Sequence, residues 1–152
     1  MSRKNNRKGF TLIEMLIVIA IIAVLVAIIV PAVGSYTEKS KAATDASNLR
    51  TTLGLLNIHV VNGKQTVEEI IDASLHPVSK TFPGAILCAI YERPGFIDVY
   101  YVDTANDKYY GLDYLSEIAL NGTDSPALAT ISTDKPTVPG TWYEAGVGEI
   151  TD

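Results

Sequence analysis

The residues best placed for chemistry are Gly9, Phe10 and Glu14. Glu14 stands at the head of an apolar run from Met15 to Val33, and the next charged residue is Glu38. A carboxylate inside a hydrocarbon-compatible span costs roughly 2.5 kcal/mol or more unless it has a partner. Gly9 is the small residue that closes a basic tip carrying Arg3, Lys4, Arg7 and Lys8 and no acid. A cut between Gly9 and Phe10 would free an ammonium on Phe10, one helical turn from Glu14. That amine is within reach of the carboxylate on the same helix face or on a neighbouring molecule. The chemistry is cleavage done to the chain, followed by ion pairing.

No other residues assemble into a reactive set. The sequence has no Gly-rich phosphate loop, no HExxH and no paired cysteines, and no nucleophile, base and acid fall into a recognisable pattern. Cys88 is alone, so no intrachain disulfide can form. Its setting, Ala85 to Ile90, reads as a buried strand in which cysteine is a small hydrophobe. His59 falls near the end of a helical stripe and His76 precedes a proline, neither with a ligand set around it. Asp98, Asp103, Asp107 and Asp113 invite a calcium reading, but their spacing does not match an Asp-x-Asp-x-Asp-Gly loop. They read as solvated turn residues. The expectation is a structural protein, not an enzyme, with no catalytic residue, no metal and no cofactor.

The element that must position Gly9, Phe10 and Glu14 is a long helix. About 23 uncharged residues separate Glu14 from Glu38, enough at about 1.5 Å per residue to cross a bilayer core of about 30 Å. No Ala-x-Ala pattern bounded by polar residues follows Val33, which counts against a signal peptide removed after the apolar run. The basic flank favours an N-terminus that stays in the cytoplasm. Pro31 lacks a backbone donor and crowds the carbonyl of Ala27, so a kink is expected there. Beyond Glu38, Ala42, Ala46, Leu49, Leu53, Leu56 and Val60 recur at helical spacing as a narrow apolar stripe. Asp45, Asn48 and Thr52 read as part of the solvated face between them. Asn62-Gly63 is the expected stop. The predicted helix runs from Phe10 to Val61, roughly 78 Å at 1.5 Å per residue. That is too long for a small domain to bury, so half is expected to protrude.

The stretch Gly9-Phe10-Thr11-Leu12-Ile13-Glu14, after a short basic leader and before an apolar helix containing Pro31, resembles the type III signal of type IV pilins and pseudopilins. The resemblance covers about the first 50 residues. It implies cleavage between Gly9 and Phe10 by a prepilin peptidase and methylation of the new Phe10 amine. It also implies pairing of Glu14 with the amine of an adjacent subunit during assembly. The implied partners are the peptidase, other pilin subunits in a homopolymer or with minor pilins, a pilus assembly platform, and the cytoplasmic membrane before assembly. The implied places are a single-pass membrane protein and then an extracellular filament serving adhesion or twitching motility. Many Gram-negative pilins staple their C-terminal region with a disulfide, and this chain departs from that pattern.

The fold class expected is α+β: the type IV pilin fold, a long N-terminal helix packed on a small antiparallel sheet. Its parts are a leader at 1–9, a membrane or filament-core helix at 10–34, an amphipathic continuation at 35–62 and a globular head at 63–152. In the head, Thr66 and Glu69 have capping-box spacing for a short second helix. Strands are predicted at Ala85 to Tyr91, Phe96 to Val102 and Lys108 to Tyr110, with a Pro94-Gly95 turn between the first two. A further helix carries Leu112, Leu115, Ile118 and Ala119 and ends at Asn121-Gly122. From Thr123 the chain is rich in Thr, Ser, Pro and Gly and reads as irregular, with an edge strand near Thr141 to Tyr143. Trp142 and Tyr143 pin it to the sheet.

Charge narrows the function. With the leader removed, eight basic residues face 17 acids, a formal −9. Such a surface repels nucleic acid, because DNA binding rests on phosphate neutralisation by Lys and Arg. Two rivals to a pilus subunit remain: a pseudopilin of a type II secretion or competence system, and a membrane-anchored binding domain that never polymerises and keeps its first nine residues.

Overall fold

A computed structural model describes residues 9–60, 62–73, 78–93, 96–137, 140–145 and 148–150. The basic tip, Val61, His76 and Pro77 (where the second helix is expected to close), the Pro94-Gly95 turn and Pro139 lie outside the described residues. Two compact units divide the chain, Met1–Tyr36 and Thr37–Asp152. Helix α1, Leu12–His59, supplies the described helical part of the first and the packing helix of the second.

In the first unit α1 is apolar and exposed throughout, and it is long and apolar enough to cross a membrane. The backbone stays helical through Pro31. In the second unit the stripe read from the sequence is the buried face. Ala42, Ala46, Leu49 and Leu56 are buried, and Leu53 and Val60 are partly so. The helix ends in a Schellman motif: Gly63 takes a left-handed φ of 65° and the amide of Lys64 donates to the carbonyl of His59 at 2.9 Å.

Helix α2, Val67–Asp72, carries the predicted capping box, with Thr66 and Glu69 satisfying each other's backbone amides. Strands β1 (Ile86–Arg93), β2 (Phe96–Asp103) and β3 (Lys108–Tyr110) form an antiparallel meander. Helix α3, Leu112–Asn121, follows, closed by Gly122 at a φ of 94°. A 3₁₀ turn at Pro126–Thr130 then starts on the Ser125 cap. Strands β4 (Thr141–Glu144) and β5 (Gly148–Ile150) complete a five-stranded sheet of order β3-β2-β1-β4-β5. The stretch read as an edge strand at Thr141 to Tyr143 therefore lies inside the sheet, because β5 pairs along its outer side.

Alternation sorts the sheet into two faces. Leu87, Ala89, Ile97, Val99 and Tyr101 pack with α1, α2 and α3 in the main core. Cys88, Ile90, Val102 and Trp142 form a second cluster on the opposite face. There the Trp142 ring lies 6.0 Å from Tyr100 and 5.6 Å from Tyr109, centroid to centroid. Trp142 thus holds the C-terminal segment to the sheet. The fold is α+β, a long N-terminal helix on a small antiparallel sheet.

Candidate functional site

The N-terminal site starts from Thr11. Thr11 stands just before Leu12, the first helical residue, and its bonds with Glu14, the third residue of the first turn, make it the N-cap of α1. The Glu14 Oε2 atom accepts from the Thr11 amide at 2.8 Å and from the Thr11 hydroxyl at 2.9 Å, and the Glu14 amide donates back to Thr11 Oγ1 at 3.3 Å. This is a capping box. The sequence carries the same Thr-x-x-Glu spacing that marked Thr66 and Glu69, but the apolar surroundings of Glu14 drew attention to its charge instead.

Both Thr11 contacts fall on Oε2, and Oε1 accepts no hydrogen bond among the described residues. The carboxylate is thus aimed by its own helix while one oxygen stays open. Gly9 and Phe10 precede the helix in non-helical backbone, and Phe10 is 77% exposed. No heavy atom lies within 4 Å of where a Gly9 Cβ would be. The sequence-predicted residues Gly9, Phe10 and Glu14 gather at one helix start, with Pro31 further along the same unit.

Of the four calcium candidates only Asp98 and Asp113 line a common groove, and among the described residues no group of three His, Cys, Asp or Glu could hold a metal ion. Asp103 instead shapes the β2–β3 turn, accepting from the amides of Ala105 and Asn106 and from Asn106 Nδ2 at 2.7 Å. These bonds, the Asn106 side chain first, hold its carboxyl below the usual range. Cys88 is buried, and desolvation, with the nearby Glu144 charge, pushes its thiol up to about 12. His59 sits half-buried in the last turn of α1.

Sequence reasoning missed one functional side chain in the head. Asp45, read as solvated, is fully buried on α1. It accepts from Ser79 Oγ at 2.7 Å, from the Lys80 amide at 3.0 Å and from the Thr81 amide at 2.8 Å. Ser79 Oγ in turn accepts from the Phe82 amide at 2.9 Å. This clamp sets Phe82 against Tyr110, their rings stacked at 3.7 Å. The partners lie more than 30 residues along the chain, so no local spacing marks them.

Comparison with known proteins follows the same division. Residues 4–30 match the family described as the prokaryotic N-terminal methylation motif. Over 146 residues, 91% of this chain and 84% of the relative, the sequence is 31% identical to the type IV major alpha-pilin of Moraxella bovis. It is 34% identical to a fimbrial protein of Moraxella nonliquefaciens over 101 residues, 57% of this chain and 66% of the relative. It is 50% identical to the type IV major fimbrial protein FimA of Dichelobacter nodosus over 44 residues, 29% of this chain and 28% of the relative. No solved structure matches the chain. The shared N-terminal motif, the long helix on a small sheet and a similarity that runs through the head lead to one conclusion: this chain belongs to the type IV pilins, a family of structural subunits rather than enzymes.

Proposed function

We propose that this chain is a pilus subunit, stored in the membrane through the first part of α1, trimmed between Gly9 and Phe10, and polymerised into a surface filament. In this reading the N-terminus faces the cytoplasm, a prepilin peptidase makes the cut, and the new Phe10 amine is methylated. An assembly platform then passes the subunit from lipid into a growing homopolymer, where minor pilins join it. Apolar helices exchange lipid for one another, so little is lost in moving between two oily surroundings. The carboxylate supplies the directional term. Oε2 of Glu14 stays in the Thr11 box, and Oε1 receives the Phe10 ammonium of an adjacent subunit. A methylated amine still carries a proton at neutral pH, so the pair survives modification. Pro31, with no N–H to give, is where α1 bends as subunits pack.

The observation that carries this reading is the single aimed carboxylate, half-used, at the start of an exposed apolar helix. The relatives are named major pilins and fimbrial proteins, which favours a pilus over a secretion or competence filament. Adhesion and twitching motility are the roles such a filament would serve.

Glu14→Gln tests the pairing without removing the cap, because glutamine also completes a capping box. The variant should insert in the membrane and be trimmed, yet give at most about a tenth of the normal filament yield, because a carboxamide cannot form the charge-assisted pair with the ammonium. Normal yield from Glu14→Gln would show that the charge has no part in assembly.

A further inference from the structure

Strand β3 is three residues long and pairs only with Tyr101, Val102 and Asp103 of β2. The amide of Tyr109 donates away from β2, to the carbonyl of Thr133 at 2.9 Å. The backbone groups of β2 that turn towards β3 are therefore those of Tyr101 and Asp103. The far side of β1 sets the same parity, because the Leu87 carbonyl accepts from Ala145 there. Asp98 and Tyr100, paired with Ile90 and Cys88, turn their backbone groups to β1, and Ile97 and Val99 turn theirs outward. No strand continues β3 at that point, since the chain leaves as α3. Among the described residues the outward N–H and C=O groups of Ile97 and Val99 have no hydrogen-bond partner.

An open groove of about 420 Å³ lies beside this half-edge at Asp98, Val99 and Tyr100. Leu49, Leu53 and Leu112 give it apolar walls, and Asp98 and Asp113 supply two carboxylates. Helix α3 begins beside it on Gly111, which offers no side-chain cap; the Tyr114 amide is taken by Asp113 Oδ1 at 2.8 Å, and the amides of Leu112 and Asp113 are further donors. Alternating donors and acceptors over apolar pockets are what an extended peptide recognises when it adds to a sheet. The two carboxylates fix the charge of such a peptide. A second β2 edge or β5 is a poor occupant: the first sets Asp98 near its own copy, and the second brings Glu149.

We propose that the open half of the β2 edge, at Ile97 and Val99, takes up a short extended segment of a partner protein carrying Lys or Arg, added antiparallel in line with β3. Its backbone bonds to Ile97 and Val99, its apolar side chains meet Leu49, Leu53 and Leu112, and its cations meet Asp98 and Asp113. Burial already raises the Asp98 carboxyl, and the attraction of a cation beside it opposes that shift. This inference is independent of the cut at Gly9.

The test uses the full chain, isotopically labelled in detergent micelles, and the probe peptide acetyl-Thr-Lys-Val-Lys-Thr-amide. Saturable amide shifts should appear at Ile97 and Val99, with exchange of those amides slowed at least about tenfold. The same peptide N-methylated at alternate residues should bind at least about tenfold more weakly, and so should the unmodified peptide to the Asp98→Lys/Asp113→Lys double variant. Equal binding by the N-methylated peptide would reduce the contact to ion pairing and overturn the proposal. Amides of Ile97 and Val99 already protected without peptide, or shifts confined to the Trp142 face, would overturn it as well.

Discussion

Asp45 shows how one buried charge organises the head of this pilin. Four hydrogen bonds from Ser79, Lys80 and Thr81 replace the water it gave up. Removing the acceptor leaves buried donors unsatisfied, which costs about 1–3 kcal/mol for each group that cannot reach water. Asp45→Ala should therefore lower unfolding free energy by about 3 kcal/mol in denaturant titration, and Asp45→Asn, which keeps one acceptor oxygen, by less. A loss below about 0.5 kcal/mol for Asp45→Ala, the range of ordinary surface changes, would contradict the clamp. Cys88 gives a second residue-scale outcome. Its folded pKa lies at about 12, above the unfolded value. The protonated thiol therefore contributes stability that is full below about 8.5 and is lost as pH rises towards the folded value. Iodoacetamide at pH 8.5 should label Cys88 slowly in the folded chain and readily after denaturation, because the thiolate is the nucleophile.

At the scale of elements, the second face of the sheet depends on Trp142. It covers Cys88 and packs on Tyr100 and Tyr109, so Trp142→Ala should destabilise the head by about 3 kcal/mol. It should also raise the Cys88 labelling rate at the same pH, and an unchanged rate would contradict this packing. Most elements were legible because their signals are local. The 3.6-residue stripe marked the packing face of α1, Thr66 and Glu69 marked the start of α2, and alternation with turn residues marked β1 to β3. What escaped depends on distant partners. Asp45 looks solvated until Ser79, Lys80 and Thr81 close over it, and Thr52 is buried on the same helix. β4 looks like an edge until β5, a three-residue strand without a clear apolar pattern, pairs with it. Gly9, Phe10 and Glu14 were legible as a small residue, an apolar residue and a lone charge at the start of a long helix. The Thr11 cap was equally local and was masked by the stronger hydropathy signal around it.

For the molecule as a whole, the two units divide the work. The first presents an apolar helix with one aimed carboxylate. The second is held by its own core, the Asp45 clamp and aromatic contacts on both sheet faces, without a disulfide to Cys88. In the reading proposed above, a subunit of this design leaves the membrane for a filament once its N-terminus has been opened to pair with Glu14. Mass spectrometry of the chain recovered from filaments on the native organism tests that most directly. The account predicts a mature N-terminus at Phe10 bearing a methyl group, with residues 1–9 absent. A filament-borne chain that still starts at Met1, with the Gly9–Phe10 bond intact, would contradict it.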